Sequence, residues 1–105
     1  MLELTKENFE DEVLKADGLV FVDFYGDGCV PCIALRPHVD ELAAKYADSF
    51  KFTALNTSKA RRVAIGQKVL GLPVIAMYKD GEKISELVGN DATAGNMEKM
   101  LIEFM

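Results

Sequence analysis

The most informative stretch of the sequence reads Leu19-Val20-Phe21-Val22-Asp23-Phe24-Tyr25-Gly26-Asp27-Gly28-Cys29-Val30-Pro31-Cys32. Its first seven residues are apolar on both faces except for Asp23, which is typical of a central strand that is buried on both sides. A flexible turn follows, and from about Cys32 to Tyr46 the pattern becomes helical. Cys29 and Cys32, the only cysteines of the chain, therefore lie where a strand gives way to a helix. This placement indicates a redox-active pair.

The start of a helix explains how such a pair reacts. Its unpaired N–H groups and partial positive charge stabilise an anion by ~0.3–1 kcal/mol, or up to ~2 kcal/mol when it is partly buried. Since one pKa unit corresponds to about 1.36 kcal/mol, the dipole alone lowers a thiol pKa by up to roughly one and a half units. Cys29, at the mouth of the helix, is the predicted nucleophile. Cys32, one turn further in, is expected to be more buried and to act as the resolving thiol.

Other uses of two cysteines are less favourable here. A structural disulfide closing a loop of about four residues gains only ~2 kcal/mol, against ~4.7 kcal/mol for a loop of about a hundred. Zinc requires four ligands, which two cysteines and the distant His38 do not supply, so no metal is expected. Attachment of a c-type haem requires a histidine where Ile33 stands. His38 itself is expected on the surface of the helix, well round from Cys32.

Length and composition narrow the class of protein. The 105 residues predict one domain, residues 1–105, and the 50% hydrophobic and 28% charged content is that of an ordinary globule. A net charge of −5 argues against nucleic acid or an anionic membrane as a partner. The longest strongly apolar run is about seven residues, too short for a membrane span, and a charged amino terminus is unlike a signal peptide. We therefore expect a cytoplasmic protein.

Hydrophobic periodicity and turn residues predict the element order β-α-β-α-β-α-β-β-α. The first helix is expected from a Thr5 cap to about Ala16, and the last helix from a Thr93 cap. Asp80-Gly81 marks a hairpin between the last two strands. The intervening elements are expected at residues 50–55 (strand), 58–68 (helix), 74–78 (strand) and 83–88 (strand). This order predicts an α/β fold with a mixed sheet and helices on both faces.

The quoted stretch also carries a family resemblance. It is followed by Pro37, Gly71-Leu72-Pro73, Lys79-Asp80-Gly81 and Val88-Gly89. With these motifs the sequence resembles the thioredoxin family over essentially the whole chain. The resemblance implies a thioredoxin fold with a mixed central sheet of about five strands flanked by four helices. The Gly28-Cys29-Val30-Pro31-Cys32 version is most similar to thioredoxins of amino-acid-fermenting anaerobes, which serve glycine, sarcosine and betaine reductases.

The resemblance implies a protein disulfide oxidoreductase that carries electrons from a thioredoxin reductase to disulfide-containing proteins. Its redox-active Cys29–Cys32 disulfide would need no cofactor, and a monomer is expected. The same resemblance implies a cis-proline at Pro73, facing the cysteine pair. It also implies a substrate groove formed by Gly28, Val30, Pro31, Leu72, Pro73 and Gly89.

Asp23 is an anomaly in an otherwise apolar strand. An unpaired buried carboxylate is costly, so such a group usually raises its pKa. Asp23 is therefore interpreted as the proton acceptor for Cys32, acting through water. The alternative is a hydrogen-bonded or partly exposed aspartate without a catalytic role.

Several positions depart from the usual family pattern. Gly28 and Tyr25 replace tryptophans, Val30 replaces the glycine between the cysteines, and Ile33 and Ala54 replace lysines. These changes leave the exchange chemistry intact and alter the recognition surface. Two alternatives share the fold, namely a thiol oxidase or disulfide isomerase and a non-enzymatic docking module. Retention of both cysteines together with Asp23 argues against the docking module.

Overall fold

The computed structural model describes residues 1–105 and contains one mixed sheet of five strands in the order β1-β3-β2-β4-β5. The strands β1, β3 and β2 run parallel, whereas β4 and β5 are antiparallel to their neighbours. The predicted α/β architecture and the predicted β4–β5 hairpin are confirmed. The strands are β1 (Leu2–Leu4), β2 (Leu19–Tyr25), β3 (Lys51–Asn56), β4 (Val74–Lys79) and β5 (Glu82–Val88).

Four helical segments flank the sheet, as expected. They are a π-helical segment (Glu10–Leu14), α1 (Val30–Lys45), α2 (Arg61–Gly66) and α3 (Ala94–Phe104). Thr93 caps α3 as predicted, because its hydroxyl accepts the N–H of Asn96 at 3.1 Å. Pro37 lies inside α1. None of these helices is long and apolar enough to span a membrane.

The central strand β2 separates two apolar clusters. Val20, Val22 and Phe24 belong to the cluster on one side of the sheet. Phe21 points to the other side, where it packs with residues of α1 and α3. Because side chains alternate along a strand, Asp23 shares the Phe21 side and therefore faces α1. The fold thus directs the one charged side chain of β2 toward the helix that follows the cysteines.

Two predicted helices are shorter than expected. The first is π-helical over Glu10–Leu14 only, with the Lys15 N–H donating to the Glu10 carbonyl. The Ala16 N–H donates to the Val13 carbonyl at 3.4 Å rather than to Glu12, and the Glu12 carbonyl accepts from the Lys51 ammonium at 2.7 Å. The predicted helix 58–68 splits into a 3₁₀ turn, Thr57–Lys59, and α2. Asn56 caps that turn separately by accepting the Ser58 N–H at 2.9 Å.

Candidate active site

The cysteine pair lies at the junction of β2 and α1. Gly28 adopts a φ of +71°, a left-handed conformation that favours glycine, and turns the chain into the helix. Cys29 is the N-cap residue of α1, and its Sγ accepts the backbone N–H of Cys32 at 3.2 Å. Pro31 follows within the first turn, where the missing N–H costs nothing. The two cysteines form a disulfide and lie between a strand and a helix, which is where the sequence placed them.

The two cysteines differ in accessibility. Cys29 is half-buried, whereas Cys32 is only 4% exposed. The neighbouring Val30 and Ile33 are largely exposed, at 73% and 65%. Cys32 is thus the more buried residue, as expected, and the rim around the pair is apolar.

The loop before β4 approaches the cysteine turn. The Leu72–Pro73 peptide bond is cis, which is the conformation that the resemblance implied. The Pro73 carbonyl accepts the Gly89 N–H at 2.9 Å, which brings two predicted groove residues together. A Cβ placed on Gly26 would lie 2.8 Å from the Leu72 side chain, so Leu72 packs directly over the turn that precedes the cysteines.

Asp23 is buried, with only 2% of its surface exposed. Burial raises the pKa of this carboxyl from its ordinary 3.8 to about 6, although the nearby Arg36 guanidinium lowers it in part. Arg36 Nε donates to Asp23 Oδ2 at 3.2 Å. The raised pKa was expected from the sequence, whereas the partner was not.

Arg36 is a residue of the site that sequence reasoning missed. Its guanidinium carbon lies 4.7 Å above the ring centroid of Tyr25. The Tyr25 hydroxyl in turn donates to Glu3 Oε2 at 2.7 Å. The available signal was its spacing, because Arg36 follows Cys32 by four residues and therefore lies on the same face of α1.

A cavity of about 320 Å³ opens beside the pair and is lined by Tyr25, Gly26, Cys32, Ile33, Arg36 and Pro37. One water molecule takes up about 30 Å³ in the liquid, so the cavity is large enough for several. Cys32 and Arg36, the partner of Asp23, both line it. His38 is exposed on α1 and is not among the lining residues. The structure gathers no group of three or more His, Cys, Asp or Glu side chains that could bind a metal ion.

Comparison with known proteins gives concordant results. The thioredoxin family model matches residues 1–103. The chain is 53% identical to the thioredoxin of Acetoanaerobium sticklandii over 105 residues, which is the whole of both chains. It is 52% identical to that of Peptoclostridium acidaminophilum over 96% of this chain and 92% of the relative. Thioredoxin C-2 of Corynebacterium nephridii is 35% identical over 81% of this chain and 79% of its own.

Proposed function

Because the chain belongs to the thioredoxin family, we propose that Cys29 and Cys32 perform its dithiol–disulfide oxidoreductase reaction as nucleophile and resolving thiol. The observation that carries this assignment is the position of Cys29 as the N-cap of α1, with Sγ 3.2 Å from the Cys32 backbone nitrogen. An N–H donor and the helix dipole both favour the thiolate over the thiol.

The first exchange begins from the reduced protein. The Cys29 thiolate attacks one sulfur of a partner disulfide, and the partner S–S bond breaks as the Cys29–partner bond forms. The other partner sulfur leaves as a thiolate and takes a proton from solvent. The half-buried Cys29 can reach such a partner, whereas the buried Cys32 cannot.

The second exchange releases the partner. Cys32 loses its proton to the Asp23 carboxylate through water in the adjoining cavity, and the resulting thiolate attacks Cys29 Sγ. The mixed disulfide breaks, the second partner sulfur leaves and is protonated, and the Cys29–Cys32 disulfide remains. The partner gains two electrons and the chain loses two. An Asp23 pKa of about 6 keeps this carboxyl mostly ionised, and hence able to accept a proton, at neutral pH.

The groove that receives the partner is formed by Gly28, Val30, Pro31, Leu72, Pro73 and Gly89. Support comes from the hydrogen bond between Pro73 and Gly89 and from the packing of Leu72 over the Gly26 turn. The exposed Val30 supplies apolar contact area at the rim. An extended segment of the partner that carries the disulfide is the expected occupant.

Thioredoxins exchange electrons with a thioredoxin reductase and with disulfide-containing proteins. For this chain we propose a cytoplasmic monomer that needs no cofactor and whose substrates include components of glycine, sarcosine or betaine reductase. Support comes from the 52–53% identity to thioredoxins of two amino-acid-fermenting anaerobes. Immobilised Cys32→Ser protein in lysate of such an organism should retain these components, and Cys29→Ser protein should not. If the Cys32→Ser protein retains none of these components, the substrate proposal is contradicted.

The catalytic assignment is tested by reduction of a model protein disulfide with catalytic protein and excess dithiothreitol. Wild type should turn over many times, and Cys29→Ser should not exceed the rate of dithiothreitol alone. Reduction by wild type at only the uncatalysed rate would instead indicate a docking module.

A further inference from the structure

We propose that Arg36 is a positioning residue for the redox reaction, which stacks on Tyr25 and holds the buried Asp23 carboxylate in place for Cys32. This inference rests on the proposed role of Asp23 as proton acceptor. It assigns to Arg36 a contribution made through Asp23 rather than through contact with the reacting sulfurs.

Asp23 has one cationic partner. Its neighbours across the sheet are Ala54 of β3 and Ile75 of β4, and neither side chain can donate a hydrogen bond. The other charged groups that act on it are Glu3 of β1 and Asp40 of α1, and both are anionic. Arg36 Nε, at 3.2 Å, is therefore the group that compensates the carboxylate. Without it, burial and two like charges would all oppose ionisation.

Arg36 is also placed to connect the carboxylate with the cysteines. It follows Cys32 by four residues on α1, which is ~6 Å along the helix axis on the same face. Both residues line the 320 Å³ cavity. The Arg36 side chain is 32% exposed and that of Asp23 is 2% exposed, so the pair extends from the interior to the wall of this cavity.

Tyr25 fixes the arginine in this position. The guanidinium lies 4.7 Å from the Tyr25 ring centroid, within the range of a cation–π contact. The Tyr25 hydroxyl also donates to Glu3 at 2.7 Å, but the contact with Arg36 is made by the ring. A planar guanidinium can stack on the ring while its Nε–H points at the carboxylate, which the compact ammonium of lysine cannot do equally well.

The first test is a titration of the Asp23 carboxyl group, followed by the ¹³C chemical shift of its carboxyl carbon. It uses the disulfide form, in which no thiol titrates. Arg36→Gln should raise the Asp23 pKa by about one unit or more, since it removes an opposite charge in hydrogen-bond contact. Arg36→Lys should restore part of the difference. Arg62→Gln is the matched control, because Arg62 is exposed and makes no ion pair, and it should leave this pKa unchanged.

A second pair of variants tests the role of the ring. Tyr25→Phe keeps the ring and removes the hydroxyl, and the Asp23 pKa should stay close to the wild-type value. Tyr25→Leu removes the ring as well and should raise the pKa in the direction of Arg36→Gln. Equal Asp23 pKa values in Tyr25→Phe and Tyr25→Leu would overturn the stacking part of the inference.

The kinetic test is the pH dependence of mixed-disulfide resolution, followed as release of a chromogenic thiol from Cys29. In Arg36→Gln the profile should move to higher pH together with the Asp23 pKa, so that a shift of one unit slows resolution about fivefold at pH 6 and about twofold at pH 7. An Asp23 pKa that is identical in Arg36→Gln and wild type would overturn this inference alone. A pKa that moves while the pH profile stays in place would overturn the proton-acceptor role of Asp23 and, with it, the positioning role of Arg36.

Discussion

Asp23 is the side chain at which stability and the proposed function oppose each other. Its pKa is about 6 in the folded protein against an ordinary value of 3.8, so the native carboxyl binds its proton more tightly than the unfolded chain does. Ionisation therefore favours unfolding. The cost is absent below about pH 4, grows as the pH rises to about 6, and is constant above that. A difference of roughly two units corresponds to about 3 kcal/mol.

Asp23→Asn should consequently stabilise the protein at high pH. In denaturant melts of the disulfide form we expect the variant to be more stable than wild type by about 1–3 kcal/mol at pH 8. At pH 4 the difference should shrink toward zero, because the wild-type carboxyl is then protonated too. Asp48→Asn, at an exposed position, is the control and should show no such trend. A stability difference that is the same at both pH values would contradict the assignment of the raised pKa to Asp23.

The two cysteines should differ in reactivity as they differ in burial. On reduction, alkylation near neutral pH should modify Cys29 much faster than Cys32, because Cys29 lies at the N-cap of α1 and Cys32 is only 4% exposed. Timed quenching followed by peptide mass mapping measures both rates. Preferential labelling of Cys32 would reverse the assignment of nucleophile and resolving thiol.

The active-site turn and the β4–β5 hairpin both depend on a glycine with positive φ, and their surroundings differ. Gly28 has a φ of +71° with nothing within 4 Å of an added Cβ. Gly81 has a φ of +86°, and an added Cβ would overlap the backbone carbonyl of Leu14. Conformational strain acts at both positions, whereas a steric clash with backbone acts only at Gly81.

Gly28→Ala should therefore lower the free energy of unfolding by the strain alone, about 1–2 kcal/mol. Gly81→Ala adds the clash with backbone and should lower it by about 3 kcal/mol or more. Urea unfolding of both variants in the disulfide form gives the comparison. A Gly28 variant as unstable as the Gly81 variant would mean that the active-site turn is packed more tightly than this structure has it.

Sequence patterns anticipated the elements whose signals are local. The apolar run of β2, the Asp80-Gly81 hairpin and the Thr93 cap each depend on neighbouring residues, and all three are present. The first helix also has a contact that is distant in sequence, because the Glu12 carbonyl accepts from the Lys51 ammonium, and its hydrogen-bond pattern is π-helical. The Arg36–Asp23 pair was missed for a similar reason, since it depends on how α1 is rotated relative to β2. Hydrophobic periodicity and turn residues did not specify the contacts between elements that are distant along the chain.

The surface that the whole molecule offers to partners is apolar around the cysteines. Val30 and Ile33, the sequence neighbours of the cysteines, are 73% and 65% exposed, and the chain has no tryptophan. Large aromatic anchors commonly dominate binding at such rims, and Gly28 offers none. Recognition by a thioredoxin reductase should therefore depend on complementarity to small and aliphatic side chains.

Reductase exchange tests this expectation. With a reductase adapted to the Trp-Cys-Gly-Pro-Cys-Lys form, kcat/KM should be at least roughly tenfold lower than with one adapted to this surface, which corresponds to about 1.4 kcal/mol. Ile33→Lys should recover part of that loss and leave dithiothreitol-driven turnover similar. Gly28→Trp would add an aromatic anchor at the cost of strain at a positive φ. Equal kcat/KM values for wild type with both reductases would contradict the expectation.

The most direct test of the mechanism is to trap the mixed disulfide. Reduced Cys32→Ser and Cys29→Ser proteins are each mixed with a disulfide-bonded peptide, and the adducts are measured by intact mass and peptide mapping. The mechanism predicts a stable peptide adduct on Cys29 of the Cys32→Ser protein and little or no adduct on the Cys29→Ser protein over the same time. Faster adduct formation on Cys32 of the Cys29→Ser protein would contradict it.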